Sequence, residues 1–321
     1  MKRSPHVRAM TFSALGGAVL ITPLLAAPAQ AAPPSPKVRA QAIGDAAEKR
    51  VTAYWTRERM RSAVPMERLF KARPSSQKSV KRGVKQQFPA TKALPLLTPG
   101  AAWTQGGKVA RTAGRVFFTF QGRNASCSGD AVTSANRSTV ITAGHCVKLE
   151  GSWHTNWVFV PGYDDGQRPY GTWTARQTLT TPQWDATEDI NYDVGAAVVN
   201  SLDGRNLVDT VGGQGIAFNQ DRGQTMHAFG YPAEAPYDGS TLTYCSGPVI
   251  NDLLGTTAQG MTCTMTGGSS GGPWFLSFDE ATGTGVQNSV NSFKYNFLPT
   301  HMFGPYFGAD AQNLYRRAQS S

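Results

Sequence analysis

Short apolar runs separated by turn residues dominate this chain from about residue 107 onward. The clearest lie at 115–120, 138–142, 157–160, 194–199, 225–229, 241–244, 272–276 and 289–293. Most are rich in Val, Ile, Phe and Thr, with Gly, Pro, Asn or Asp at their ends. That texture predicts short strands at close spacing, as in a sandwich or barrel. No fixed internal period repeats. Near the end the pattern turns helical over 310–317, where Arg316 and Arg317 suit a helix C-terminus.

Residues 32–100 read differently. Pro-rich ends enclose a basic middle, and 46–69 suits an amphipathic helix with Val51, Tyr54, Trp55 and Leu69 as its apolar positions. Pro65 interrupts that helix. The segment reads as a propeptide with an approximate boundary, a disordered basic linker being the alternative. Arg73 and Lys81-Arg82 are candidate cleavage points. Residues 1–31 read as a secretory signal: Lys2, Arg3 and Arg8, then an apolar stretch from about Ala14 to Ala27 interrupted by Pro23, then Ala29-Gln30-Ala31. No later stretch is apolar enough to span a membrane. The expectation is a secreted, extracellular monomer with no membrane attachment once the signal is removed.

Of the 321 residues, the first hundred hold 18 Lys and Arg against 4 Asp and Glu, a net +14; the rest hold 13 against 17, a net −4. The basic excess of +10 therefore sits ahead of the strand-rich region. A nucleic-acid-binding domain would carry that charge on its folded surface, so nucleic acid is excluded as a partner.

The four cysteines, 127, 146, 245 and 263, allow three pairings. Export makes disulfides plausible, and the local pairs Cys127–Cys146 and Cys245–Cys263 are favoured. No Cys-x₂-Cys spacing supports zinc, and no metal or cofactor motif is present. Asn124-Ala125-Ser126 and Asn136-Arg137-Ser138 match glycosylation acceptors; both are expected to be unmodified.

Three motifs carry chemistry. Thr142-Ala143-Gly144-His145-Cys146 places a general base beside a cysteine. Asn191-Tyr192-Asp193-Val194-Gly195 sets a carboxylate at the mouth of a buried run. Thr266-Gly267-Gly268-Ser269-Ser270-Gly271-Gly272-Pro273 exposes a serine between glycines. A serine hydroxyl needs a neighbouring base, and the base needs a partner that sets its tautomer. His145, Asp193 and Ser270 supply those parts. His154, His227 and His301 read as surface or capped side chains.

In that order the motifs resemble those of the chymotrypsin-fold, or trypsin-like, serine endopeptidases. The run from Cys263 to Gly271 is similar to the secreted bacterial branch that includes the glutamyl endopeptidases. The resemblance spans roughly residues 107–320, with the catalytic domain taken as 101–321. It implies an all-β chain of two antiparallel six-stranded barrels, the site in the cleft between them, and a short C-terminal helix. It implies Ser270 as nucleophile, His145 as base, Asp193 as its orienter, and the backbone N–H groups of Gly268 and Ser270 as the oxyanion hole. It also implies that Cys127–Cys146 ties the histidine turn to the preceding strand, and that the partner is a protein or peptide substrate.

Two departures stand out. Ser269 occupies the place where many animal members carry an Asp that receives a freed N-terminus. The 32–100 segment is therefore expected to assist folding or block the cleft. The pocket is expected from Thr264, Thr266, Gly267, Asn291, Ser292 and Phe293. Thr264 replaces the carboxylate of Lys/Arg-directed members, and Asn291 replaces the histidine of Glu-directed ones. A polar or medium-sized residue before the scissile bond is the resulting expectation. Two rival readings are an α/β-hydrolase esterase, with Gly268–Gly272 as its elbow and Asp279 and His301 completing it, and an inactive protease-fold binding module.

Overall fold

The computed structural model describes residues 1, 34–69, 80–87 and 98–321; the signal reading and Arg73 fall outside them. Residues 34–321 form one compact unit. Within it lies a closed barrel of six strands: β1 Ala113–Phe120, β2 Arg123–Ala131, β3 Thr139–Thr142, β4 Thr155–Pro161, β5 Trp173–Thr180 and β6 Gly195–Val199. Their hydrogen-bonded order is β5-β4-β1-β2-β3-β6, and β6 pairs back onto β5. Alternation along β1 shows how it is built: Val116, Phe118 and Phe120 pack in the main core with Trp157 and Phe159. Phe117, between them, faces a second cluster with Phe229 and Phe275.

The second half carries its strands in two sheets. β7 Gly215–Phe218, β8 Thr225–Gly230, β9 Thr243–Pro248, β11 Pro273–Asp279 and β12 Thr284–Val290 share a seven-stranded sheet, while β10 Gln259–Thr262 and β13 His301–Gly304 pair in a three-stranded one. The Cys245–Cys263 disulfide links β9 to the residue after β10. Every ladder of the barrel is antiparallel. The α/β-hydrolase reading therefore fails, since that fold needs a parallel sheet alternating with helices. Asp279 instead accepts hydrogen bonds within its own turn, from Ala281 N–H and the Thr282 hydroxyl.

The expected strand at 289–293 begins earlier, at Thr284. β2 has no apolar run at all; its nine residues read RNASCSGDA, and it is a strand because it pairs with β1 on one side and β3 on the other. The terminal helix is longer than expected, Ala309–Gln319, and buries Leu314 and Tyr315 against the barrel. Among the described residues no helix is long and apolar enough to cross a membrane.

Residues 34–69 pack on the barrel. Lys37–Ala40 adds a strand to β5. The expected helix over 46–69 breaks into Asp45–Tyr54 and Arg57–Ser62. Trp55 leaves the helical path to bury its ring against Phe117 and donate to the Asn156 carbonyl at 2.6 Å. The Thr56 hydroxyl then caps the next helix by accepting from Arg59 N–H. Trp55, Met60 and Met66 are fully buried; each contributes roughly 1.5–3 kcal/mol of docking.

Candidate active site

Strand β3 is buried throughout and delivers the chain into a 3₁₀ turn, Gly144–Cys146. Gly144 has no room for a side chain: a Cβ there would lie 2.8 Å from the Trp184 ring and 2.9 Å from Asp193 Oδ1. That close approach lets the carboxylate reach the next residue twice. Asp193 Oδ1 accepts the His145 backbone N–H at 2.8 Å, and Oδ2 lies 2.7 Å from His145 Nδ1. A third donor, the Ser292 hydroxyl, reaches Oδ2 at 2.5 Å. Asp193 is wholly buried and accepts three hydrogen bonds, which hold an anion in place. It stands directly after the 3₁₀ turn Ile190–Tyr192, whose start is capped by the Asp189 side chain accepting from Asn191 N–H.

The serine loop is built by backbone contacts. Gly268 and Gly271 hold φ of +96° and +78°, and a Cβ on Gly271 would meet Thr142 Oγ1 at 2.1 Å. Only glycine fits such a position. Ser128 N–H donates to the Ser270 carbonyl at 2.7 Å, and the Ser128 hydroxyl donates to the Gly268 carbonyl at 2.9 Å. Ser128 follows Cys127 in β2, so the barrel grips the loop on both sides of the serine. The Cys127–Cys146 disulfide joins β2 to the histidine turn. Ser269 donates its hydroxyl to the Thr266 carbonyl.

His145 and Ser270 line one cavity of about 650 Å³, together with Thr264, Thr266, Gly267, Ser292 and Phe293. Asn291 does not line it. Its amide is buried, donating to the Phe229 and Ser269 carbonyls at 2.8 and 2.9 Å and accepting from the Trp274 indole at 2.7 Å. The expectation that Asn291 contacts substrate is corrected accordingly: three interior bonds fix its side chain as a brace. Other residues of the cavity were not singled out by the sequence, among them the charged Glu67, Glu234 and Lys294. Lys294 donates to the Cys263 and Pro299 carbonyls, both at 2.7 Å, and burial lowers its ammonium to about 8.

Burial on its own disfavours a charged imidazole at His145. The charge and hydrogen bond of Asp193, aided by the charge of Glu67, outweigh it and raise His145 above 6.5. His154 lies behind it, buried and stacked flat on Phe118 with centroids 4.2 Å apart. Its Nε2 is 2.8 Å from the His145 carbonyl. A carbonyl only accepts, so Nε2 carries the proton. Burial lowers His154 to about 3. His227 is also buried, with Nε2 at 2.9 Å from Glu280, so of the two kinds the sequence allowed, surface or capped, both are capped side chains.

Cys127, His145 and Cys146 bring three potential metal ligands together. The two sulfurs are joined in the disulfide and His145 Nδ1 is held by Asp193. Metal ligation needs free thiolates, so these residues do not fit a metal.

No family model matches the chain. Among solved structures, it is similar to the protease Anisep from Arthrobacter nicotinovorans, at 46% identity over 66% of this chain and 96% of that one, with a TM-score of 0.63. A thermostable serine protease, AL20, from an extremophilic microorganism is 44% identical over 67% of this chain and 99% of that one, again at a TM-score of 0.63. A Glu endopeptidase shares the fold at 20% identity and a TM-score of 0.55, covering 69% of this chain and 97% of that one. Among curated proteins, an extracellular metalloprotease of Bacillus subtilis (strain 168) is 30% identical over 112 residues, 35% of this chain. The match spans about a third of that relative, 34% of its length.

Proposed function

The chain belongs to the bacterial chymotrypsin-fold serine proteases, and from that premise we propose that it is a secreted serine endopeptidase working through Ser270, His145 and Asp193. The observation that carries this reading is the double grip of Asp193 on His145, in a cavity shared with Ser270. With Nδ1–H donating to Asp193, the neutral imidazole presents Nε2 as the base. Ser270 Oγ attacks the scissile carbonyl while Nε2 takes its proton. The imidazolium so formed is stabilised by Asp193. The carbonyl oxygen gains charge and is met by the N–H groups of Gly268 and Ser270. Nε2 then returns the proton to the leaving amine, and the acyl-enzyme is hydrolysed by water through the same steps in reverse. No cofactor enters this scheme.

Thr264, Thr266, Gly267, Ser292 and Phe293 are the pocket residues in this reading. Residues 32–100 are the prosegment and 101–321 the catalytic domain. Two disulfides support an oxidising, extracytoplasmic setting, and the net charge of −4 after residue 100 speaks against nucleic acid as a partner. The test is a fluorophosphonate probe, which labels serines activated in this way. It labels Ser270 and leaves the Ser270→Ala variant unlabelled; equal labelling of both refutes the assignment. A peptide-library digest identifies the cleaved bonds and separates peptidase from esterase activity.

A further inference from the structure

Among the described residues of 34–69 and 80–87, Glu67 is the only one that lines the cavity of His145 and Ser270. Its Oε2 accepts the Gly268 backbone N–H at 2.8 Å. The next residue, Arg68, places Nε 2.9 Å from Glu234 Oε1. A Cβ on Gly267 would stand 2.9 Å from Glu234 Oε2 and 3.1 Å from Glu67 Oε2, so both carboxylates close around that residue. Upstream the turn is pinned as well. Met66 is fully buried in the main core, and Val64–Pro65 pair in parallel with Ala125–Ser126 of β2. Leu69 N–H closes the turn onto the Met66 carbonyl.

We propose that residues 64–68 are a built-in inhibitor, in which the Glu67 carboxylate fills the oxyanion position of the chain's own site. The proposal rests on reading Gly268 N–H as an oxyanion donor and Ser270 as the nucleophile. A carboxylate suits that position because it already carries the negative oxygen that the N–H groups are placed to bind. It also survives there. Its carbon shares a full negative charge and has no leaving group, so a serine hydroxyl does not attack it. The prosegment thus reaches the reacting centre by a side chain that is bound and not cleaved. Arg68 on Glu234 and Met66 in the core hold that side chain in register.

The test measures the rate at which a fluorophosphonate labels the intact full chain, read by intact mass so that clipped chains are separated. Wild type, Glu67→Ala, Glu67→Gln and a control at exposed Glu58, Glu58→Ala, are compared, with circular dichroism to confirm folding. Removing a charge-assisted hydrogen bond makes labelling of Glu67→Ala on the order of tenfold to a hundredfold faster than wild type. Glu67→Gln falls between, and Glu58→Ala matches wild type. Added acetate slows Glu67→Ala by refilling the vacated donor and leaves wild type unchanged. Equal labelling of wild type and both Glu67 variants overturns the inhibitor while leaving the serine chemistry standing. No labelling of any chain overturns the serine reading, and the inhibitor with it.

Discussion

Replacing Asn291 with alanine separates a bracing role from a substrate-binding one. The side chain makes three interior hydrogen bonds, to the carbonyls of Phe229 and Ser269 and from the Trp274 indole. The Ser269 carbonyl keeps a second donor, Gly272 N–H at 3.0 Å. The Trp274 indole is fully buried, and its N–H loses the partner it has in Asn291. Stranding a buried polar group costs about 1–3 kcal/mol, and the lost amide adds a small cavity. A total of about 2–4 kcal/mol follows, which lowers the melting temperature by roughly 10 °C for a domain of this size. The effect reaches the chemistry too. Ser269 precedes Ser270, and the Asn291 backbone also accepts Gly271 N–H and donates to the Gly272 carbonyl. Asn291→Ala is therefore expected to label more slowly with a fluorophosphonate below its melting point, with an unchanged cleavage preference in a peptide-library digest. A variant that melts like wild type but cleaves after different residues refutes the reasoning.

Three further outcomes follow from the site. His145 is raised above 6.5, so labelling of Ser270 increases with pH through a midpoint above that value, as the imidazole loses its proton; Glu67→Gln moves the midpoint down by removing one of the charges that raise it. The same shift contributes stability below pH 6.5 that is lost as pH rises through the raised value. His154 acts oppositely. It is neutral in the folded chain down to about pH 3, so the unfolded chain binds more protons between 6.5 and 3 and stability falls as pH drops through that window, by on the order of 5 kcal/mol. His154→Gln, which keeps a donor for the His145 carbonyl, flattens that limb in urea midpoints measured against pH. Removing the Cys127–Cys146 crosslink, which closes a separation of 19 residues, costs ~3 kcal/mol in urea unfolding and slows labelling, because that bond joins the strand holding Ser270 to the turn holding His145.

Many of the strands were legible because buried strands advertise themselves. β1, β3, β4, β6, β8 and β11 all coincide with apolar runs. β2 was silent. Its small polar residues face neighbours on both sides, and pairing, not composition, makes it a strand. Ser128 was missed for the same reason, although it grips the serine loop at two points. The helix ahead of Trp55 was visible as an amphipathic pattern; its break at Trp55 was not, since the indole's partner, Asn156, lies 101 residues away.

What the sequence determined by itself was the chemistry on offer. Gly144, Gly268 and Gly271 stand where no side chain fits or φ is positive, and each glycine marks its neighbour as a displayed group. Side-chain identity and local backbone limits are properties of short stretches, so short stretches reveal them. Tertiary structure alone decided who faces whom. It turned Asn291 inward as a brace, buried His154 as a neutral donor, and brought Glu67 to Gly268 across 201 residues of chain. Such contacts depend on the packing of whole layers, and no local pattern encodes the distance between them.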